Sequence, residues 1–415
     1  MNKGYHLMAK PFGPICNIKC EYCFYLEKKS LFQNTEKYKM SYEVLENYIK
    51  KYIETQNIPE ISFVWQGGEP TLASLDFYKD VVKLQKKYAG NKNITNSLQT
   101  NGLLIDDYWC KFLKENNFLV GLSLDGNKDI HNKYRKDIFG NGTFDRVFNS
   151  LKLLQDYNID FNVLASVSRY SSQYPLEIYN FFKENKIKYI QFSPIIERLP
   201  DEEAKKLSLT HSIPNSNSNE KVADYSVEPE CYGDFLISIF DEWVKKDVGE
   251  IFVMNFEWAL TSWLGLDSTI CLFGKECSGC TVVEHNGDIY SCDHYVYPNY
   301  KIGNIINDNP RSIIDSDKQK SFGLKKSNLP KNCLRCDALF ACRGECPKNR
   351  FDKFYDGEEG KNYLCEGYKK YFYHIHPYMK AMRELLENNI DIREIMRIKE
   401  SPIVVVKKII NFIIC

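Results

Sequence analysis

The chain has no net charge: among its 415 residues Lys plus Arg and Asp plus Glu each total 55. That balance leaves no electrostatic footprint for nucleic acid. A long apolar run is also missing. The longest, over 403–414, is broken by Lys407 and Lys408, too short and too charged to cross a bilayer. It reads as a docked strand or helix, with contact to a membrane surface as the alternative. The first fourteen residues lack the roughly 7 to 15 residue apolar stretch of a signal peptide. The expected location is therefore the reducing cytoplasm. No internal repeat is evident. What the chain does have is fifteen cysteines, and in that compartment cysteines serve metals rather than disulfides.

Three of them form the run Cys16-Asn17-Ile18-Lys19-Cys20-Glu21-Tyr22-Cys23, a CxxxCxxC loop. Three thiolates on a four-iron cluster leave one iron open, and an open iron can chelate S-adenosylmethionine (SAM) and pass it an electron. A zinc site with a distant fourth ligand is the alternative, although zinc-binding cysteine pairs usually appear as CxxC. The spacing resembles the signature of the radical SAM superfamily.

Between residues 5 and about 200, short apolar segments alternate with amphipathic ones. The pattern predicts strands over 5–10, 61–65, 94–99, 118–124, 161–166 and 189–194, with helical spacing over 42–54, 75–88 and 174–184. Six such units imply an α/β fold: a parallel sheet with right-handed crossovers, a partial (β/α)6 barrel, with chemistry at the C-terminal ends of its strands. The informative loops fall there: the cysteine loop after the first strand, Gln66-Gly67-Gly68-Glu69-Pro70 after the second, Gln99 to Gly102 after the third, and Ser123 to Gly126 after the fourth. Gly67 and Gly68 would admit a ligand close to backbone, and Glu69 is placed to bind a methionyl ammonium. Residues 201–228, with a polar stretch near 214–219, read as a flexible linker or surface insertion. The expected domains are 1–230 for the barrel, 231–380 for a cysteine-rich unit and 381–415 for a tail.

In that second unit Cys271, Cys277 and Cys292 precede a CxxCx5CxxxC array of Cys333, Cys336, Cys342 and Cys346, and Cys365 follows. Eight thiolates suit two cubane clusters, and such pairs often exchange their last ligands. The expected partition is Cys271, Cys277, Cys292 and Cys346 for one, and Cys333, Cys336, Cys342 and Cys365 for the other. Two zinc ribbons remain the alternative, and Cys280 lies close enough to the first set to compete for a place in it.

Together the CxxxCxxC loop, QGGEPTL at 66–72, SLQTNG at 97–102, SCDHYVYP at 291–298 and the CxxCx5CxxxC array resemble the anaerobic sulfatase-maturating enzymes, radical SAM proteins with a SPASM-type C-terminal domain. The resemblance covers about residues 5 to 380. It implies oxygen-independent oxidation of a Cys or Ser in a sulfatase polypeptide, with a Cys-x-Pro-x-Arg or Ser-x-Pro-x-Arg core, to Cα-formylglycine by a 5'-deoxyadenosyl radical. It further implies SAM and three [4Fe-4S] clusters as cofactors, and a small electron-transfer protein of flavodoxin or ferredoxin type as donor. Asp293 would be the catalytic base with Tyr25 and Gln66 beside it, and partial burial next to a cluster would raise its carboxyl pKa by disfavouring the charged form. Tyr22, Ser123, Arg135 and Ile196 would join the Gly67-Gly68-Glu69 loop in contacting SAM. Another SPASM-type peptide-modifying enzyme, such as one forming thioether crosslinks, would share every cluster ligand, and a zinc-stabilised binding module is the reading from a different class.

Overall fold

The computed structural model describes residues 4–32, 38–214, 221–277 and 279–397. Six strands run in chain order and pair in parallel: β1 (His6–Lys10), β2 (Glu60–Trp65), β3 (Asn93–Thr100), β4 (Phe118–Ser123), β5 (Phe161–Val167) and β6 (Tyr189–Pro194). A helix separates each from the next. The helix Tyr42–Glu54 buries Val44, Leu45, Tyr48, Ile49, Tyr52 and Ile53 along one face, and Ser41 caps it by accepting from the Val44 N–H. Asp106 and Asn127 cap the helices Asp107–Glu115 and Lys128–Tyr134 in the same way. Tyr48, Phe63, Trp65 and Tyr78 fill the space between sheet and helices as a ladder of edge-on rings.

The sheet continues across the boundary expected near residue 230. β7 (Phe252–Val253) adds beside β6, and β8 (Cys280–Glu284) pairs in parallel with the whole of β1, from His6 opposite Cys280 to Lys10 opposite Glu284. β9 (Asp288–Tyr290) and β10 (Lys301–Asn304) extend that edge antiparallel, giving ten strands in the order β10-β9-β8-β1-β2-β3-β4-β5-β6-β7. The cysteine-rich unit and the partial barrel thus share a single sheet. The helices Pro229–Lys246 and Cys365–Glu387 bind the same two units from outside, and they cross where Gly233 meets Gly367. A Cβ on Gly367 would stand 1.9 Å from the Pro229 carbonyl oxygen, so only glycine permits this approach.

Two expectations about irregular segments change. Within 201–228, the described residues form a packed element rather than a flexible linker: Ala204, Leu209 and Ile213 are buried with Tyr297, and Arg198 bridges to Val222. Asp201, His211, Ser212 and Ser226 are buried with it, while the polar stretch expected at 214–219 lies, but for Pro214, outside the described residues. The tail expected from 381 begins as the last turns of the helix Cys365–Glu387 and continues into Ile392–Arg397, where Ile395 is buried. The apolar run at 403–414 lies outside the described residues. Among the described residues no helix is long and apolar enough to cross a membrane.

Candidate active site

The strand ends converge as the barrel rule requires. Lys10 closes β1, Gln66 follows β2, Thr100 closes β3, Ser123 closes β4, Ser166 lies near the end of β5 and Ile196 just beyond β6. Two groups of side chains occupy this rim.

The first surrounds the three-cysteine loop. Burial pushes the thiols of Cys16, Cys20 and Cys23 up, Cys16 to about 12; Cys23 acts electrostatically on Cys16, and both act on Cys20. Left to themselves, such thiols stay protonated. A metal centre deprotonates coordinating thiols, so a buried trio on one loop fits a cluster with one open iron. The loop is tied on both sides. Asn101 Nδ2 donates to Cys16 Sγ at 3.5 Å and to Asn17 Oδ1 at 2.7 Å, while Arg135 Nη1 reaches Cys20 Sγ at 3.9 Å.

Arg135 is held by Asp125, whose carboxylate also accepts from the Tyr22 hydroxyl at 2.6 Å and from the Ser166 N–H at 2.9 Å. Burial alone would raise the Asp125 carboxyl, but the Arg135 charge holds it below the usual range. Asp125 therefore organises the expected residues Tyr22 and Arg135, and sequence reading passed over it. Its signal was its place one residue past Leu124 in a strand-end loop. Ser123 accepts from Gln99 Nε2 at 3.2 Å, and Ile196, almost wholly buried, accepts from Lys348 Nζ at 3.1 Å.

The glycine loop is tied to both of its neighbours. Glu69 is buried, and its carboxylate accepts from the Thr71 N–H and hydroxyl, the Thr100 hydroxyl and the Asn101 N–H at 2.6 to 3.0 Å. Three of these donors share Oε1 and only the Asn101 N–H reaches Oε2, so Glu69 knots the ends of β2 and β3 together and keeps acceptor capacity on Oε2. A Cβ on Gly68 would stand 2.1 Å from the Ile15 carbonyl oxygen. Gly68 is needed for contact with the cysteine loop, sealed by the bonds Gly68 N to Gly13 O and Glu69 N to Ile15 O, both 2.8 Å.

The second group gathers around Asp293. It lies just past β9, yet the pairing of β8 with β1 carries it to the barrel rim. Gln66 Nε2 donates to it at 3.2 Å, and Lys10, which is 2 % exposed, forms an ion pair with it. The raised carboxyl expected from burial is not what the site produces. Burial does push it up, but the Lys10 charge prevails, and the carboxyl sits below its usual range. Lys10 also lies 3.9 Å over the Tyr25 ring, whose hydroxyl donates to the buried Glu284. The expected trio Asp293, Gln66 and Tyr25 is thus brought together, and Lys10 and Glu284 join it. Both end adjacent strands, a position the sequence displayed without saying what would face it.

The remaining thiols fall into two sets. Cys271 acts on Cys277, Cys292 and Cys346, and Cys280 shares the field of Cys277 and Cys292; separately, Cys336 acts on Cys333 and Cys365, and Cys333 and Cys365 on Cys342. Cys280 stands against Cys271, sharing a thiol hydrogen bond with it. Of the leftover cysteines, Cys110 is buried in packing and Cys231 is exposed. Among the described residues no three His, Cys, Asp or Glu side chains are close enough to hold one metal ion. Ligands bound to separate irons of a cube stand further apart than those around a single zinc.

Comparison with known proteins agrees with this layout. Residues 11–182 match the radical SAM superfamily, and residues 271–337 match the SPASM iron-sulfur cluster-binding domain. A serine-type anaerobic sulfatase-maturating enzyme of Bacteroides thetaiotaomicron is 46 % identical over 93 % of this chain and 93 % of its own length. A cysteine-type anaerobic sulfatase-maturating enzyme of Clostridium perfringens is 36 % identical over 89 % of this chain and 96 % of its own. The solved structure of native anSMEcpe with bound AdoMet and Cp18Cys peptide superposes with a TM-score of 0.80 at 34 % identity, covering 92 % of this chain and 99 % of that one.

Proposed function

The chain belongs to the anaerobic sulfatase-maturating enzymes, radical SAM proteins with a C-terminal SPASM domain, and from that premise we propose how its own residues divide the work. The reaction is the oxygen-independent oxidation of a Cys or Ser in a sulfatase polypeptide to Cα-formylglycine. Cys16, Cys20 and Cys23 would hold an iron-sulfur cluster that, with SAM bound, would supply the one-electron chemistry removing hydrogen from the substrate Cβ.

Everything else is the task of the polypeptide. Asn101 and Arg135 hold the cysteine loop from two sides, and Asp125 orients Arg135 and Tyr22 toward SAM. Gly67 and Gly68 keep backbone close to that loop, and Glu69, held through Oε1 by Thr71 and Thr100, offers the remaining acceptor site of Oε2 to the SAM ammonium. Ser123 and Ile196 line the same rim. Asp293 accepts the proton released from the substrate thiol or hydroxyl, while the remaining electron would pass to an auxiliary cluster; with Cys, water then replaces the thioaldehyde sulfur, which leaves as sulfide. A thiol of pKa about 8.5 keeps its proton at neutral pH, so a positioned base contributes roughly 10² to 10⁴ in rate. Lys10 keeps Asp293 ionised, and Gln66 fixes its orientation. Tyr25, anchored by Glu284, forms the wall beside Lys10.

The observation that carries this assignment is the delivery of Asp293 onto Gln66 and Lys10, side chains from the two strand ends flanking the cysteine loop. Two further clusters, on Cys271, Cys277, Cys292 and Cys346 and on Cys333, Cys336, Cys342 and Cys365, complete a set of three [4Fe-4S] centres. The proposed electron donor is a small protein of flavodoxin or ferredoxin type, and the proposed compartment is the cytoplasm. The test is anaerobic incubation with SAM, reductant and synthetic peptides bearing Cys-x-Pro-x-Arg or Ser-x-Pro-x-Arg. An aldehyde product, trapped as a hydrazone, is expected. A thioether crosslink without aldehyde would assign the protein to the competing chemistry.

A further inference from the structure

Lys326 is a lysine with no surface and no carboxylate. Its side chain is 0 % exposed, and its ammonium donates to the carbonyl oxygens of Cys271 and of Leu272, the latter at 2.6 Å. Among the described residues it makes no ion pair. The acidic group whose field it shares is Glu345, and that carboxylate is already occupied by the side-chain amides of Asn349 and Asn362. Arg350 locks the arrangement: its guanidinium donates to the Lys326 carbonyl oxygen at 2.8 Å and otherwise to the carbonyl oxygens of Arg343, Gly344 and Glu345. The Lys326 charge acts on the thiols of Cys271 and Cys277.

A buried cation held only by carbonyl dipoles costs several kcal/mol unless an anion compensates it. Among the described residues Glu345 makes no hydrogen bond to Lys326, and the further anions beside it are the thiolates that Cys271, Cys277, Cys292 and Cys346 present once they are ligands. A four-iron cube with four thiolates carries net negative charge, and a fixed cation beside such a centre favours its reduced form, because reduction adds negative charge.

We propose that Lys326 is the internal counter-charge of the auxiliary cluster on Cys271, Cys277, Cys292 and Cys346, and that it raises that cluster's reduction potential above the value its ligands alone would set. This rests on the reading that these thiols hold an iron-sulfur cluster. Lys326 touches neither substrate nor SAM, so it is a positioning residue for charge.

The experiment uses full-length protein with Cys16, Cys20 and Cys23 replaced by Ala, so that only the auxiliary centres titrate. In this background Lys326→Met and Lys326→Arg are compared by iron content and by potentiometric titration followed by electron paramagnetic resonance. Lys326→Met is expected to lower the potential of one centre, a change of about tenfold in its reduction equilibrium, or about 59 mV for one electron. The other centre should stay at its parent potential, and Lys326→Arg should keep both. Loss of about four irons in Lys326→Met but not in Lys326→Arg also supports the counter-charge. Unchanged potentials in Lys326→Met overturn the proposal. Equal shifts or equal iron loss in both variants also overturn it, since packing rather than charge would then be responsible. If the background protein carries no auxiliary iron, the cluster reading fails first, and that failure is visible before Lys326 is altered.

Discussion

Asp293 is the proposed proton acceptor, and its neighbours make a sharp forecast available. Asn is nearly isosteric with Asp and still accepts from Gln66, but it takes no proton from a substrate thiol or hydroxyl. Asp293→Asn is therefore expected to keep its iron and to cleave SAM, while formylglycine yield falls by roughly 10² or more. Parallel quantification of 5'-deoxyadenosine and aldehyde checks this. Aldehyde at the parent rate, or iron lost together with activity, would remove Asp293 from its role. The buried Lys10 sharpens the forecast, because it binds an anion at position 293 and leaves Asn with no charge to offer.

At the scale of single elements, the loop after β2 and the cysteine loop behave as one unit. Gly68→Ala puts a Cβ 2.1 Å from the Ile15 carbonyl oxygen, one residue before Cys16, so the ligand loop itself must move. The expected result is loss of about one third of the iron together with SAM binding, seen by iron analysis and by equilibrium dialysis of labelled SAM. Full iron content with weakened SAM binding would instead place Gly68 against the methionyl group. The segment 207–214 is tied to the short helix Leu26–Phe32 through Glu27, which accepts from the Thr210 N–H at 2.7 Å and from the His211 N–H at 3.0 Å. Burial opposes its ionisation, yet hydrogen bonding from His211 and the Lys28 charge bring the Glu27 carboxyl down to about 2. A carboxyl depressed by folding stabilises above its unfolded value and loses that contribution as pH falls through its folded one. The tie is thus complete above about pH 4.5 and fades toward pH 2. Hydrogen exchange over 207–214 should accelerate in that window relative to the rest of the chain. In Glu27→Gln it should be fast at neutral pH already.

For the whole molecule, the pairing of β8 with β1 joins the barrel and the cysteine-rich unit into a single structure. Residues 1–230 expressed alone would expose the full edge of β1, and such an edge pairs with whatever it meets. They are expected to aggregate, whereas the full chain purifies as a discrete species by size-exclusion chromatography. A soluble, cooperatively folding 1–230 fragment would show the sheet to be divisible. The intact protein reconstituted without oxygen should hold about twelve irons, and replacement of Cys16, Cys20 and Cys23 by Ala should remove about four of them and all SAM cleavage.

Much of this protein can be read without a structure. Thiol spacing is local, so CxxxCxxC and CxxCx5CxxxC announce metal chemistry wherever the chain goes, and the alternation of apolar segments announces six parallel strands because a strand's period of two and a helix's of 3.6 are properties of neighbouring residues. The placement of reactive loops at strand ends follows from the same pattern. What no local pattern contains is who faces whom across the fold. Lys10 reads as a lysine ending a strand, and only the register that sets it opposite Glu284 makes it the buried partner of Asp293. Glu69 reads as a free carboxylate, and only the fold shows it tied to Thr71, Thr100 and Asn101. Burial by itself gives Asp293 a raised pKa, but the sign is decided by a charge 283 positions away in sequence. Residues 201–214 have the composition of a surface insertion, yet Ala204, Leu209 and Ile213 pack on Tyr297. Local spacing thus determined the chemistry and the strand order, and long-range pairing decided each carboxylate's state, because the energy of a buried charge depends on its nearest partner in space and not in sequence.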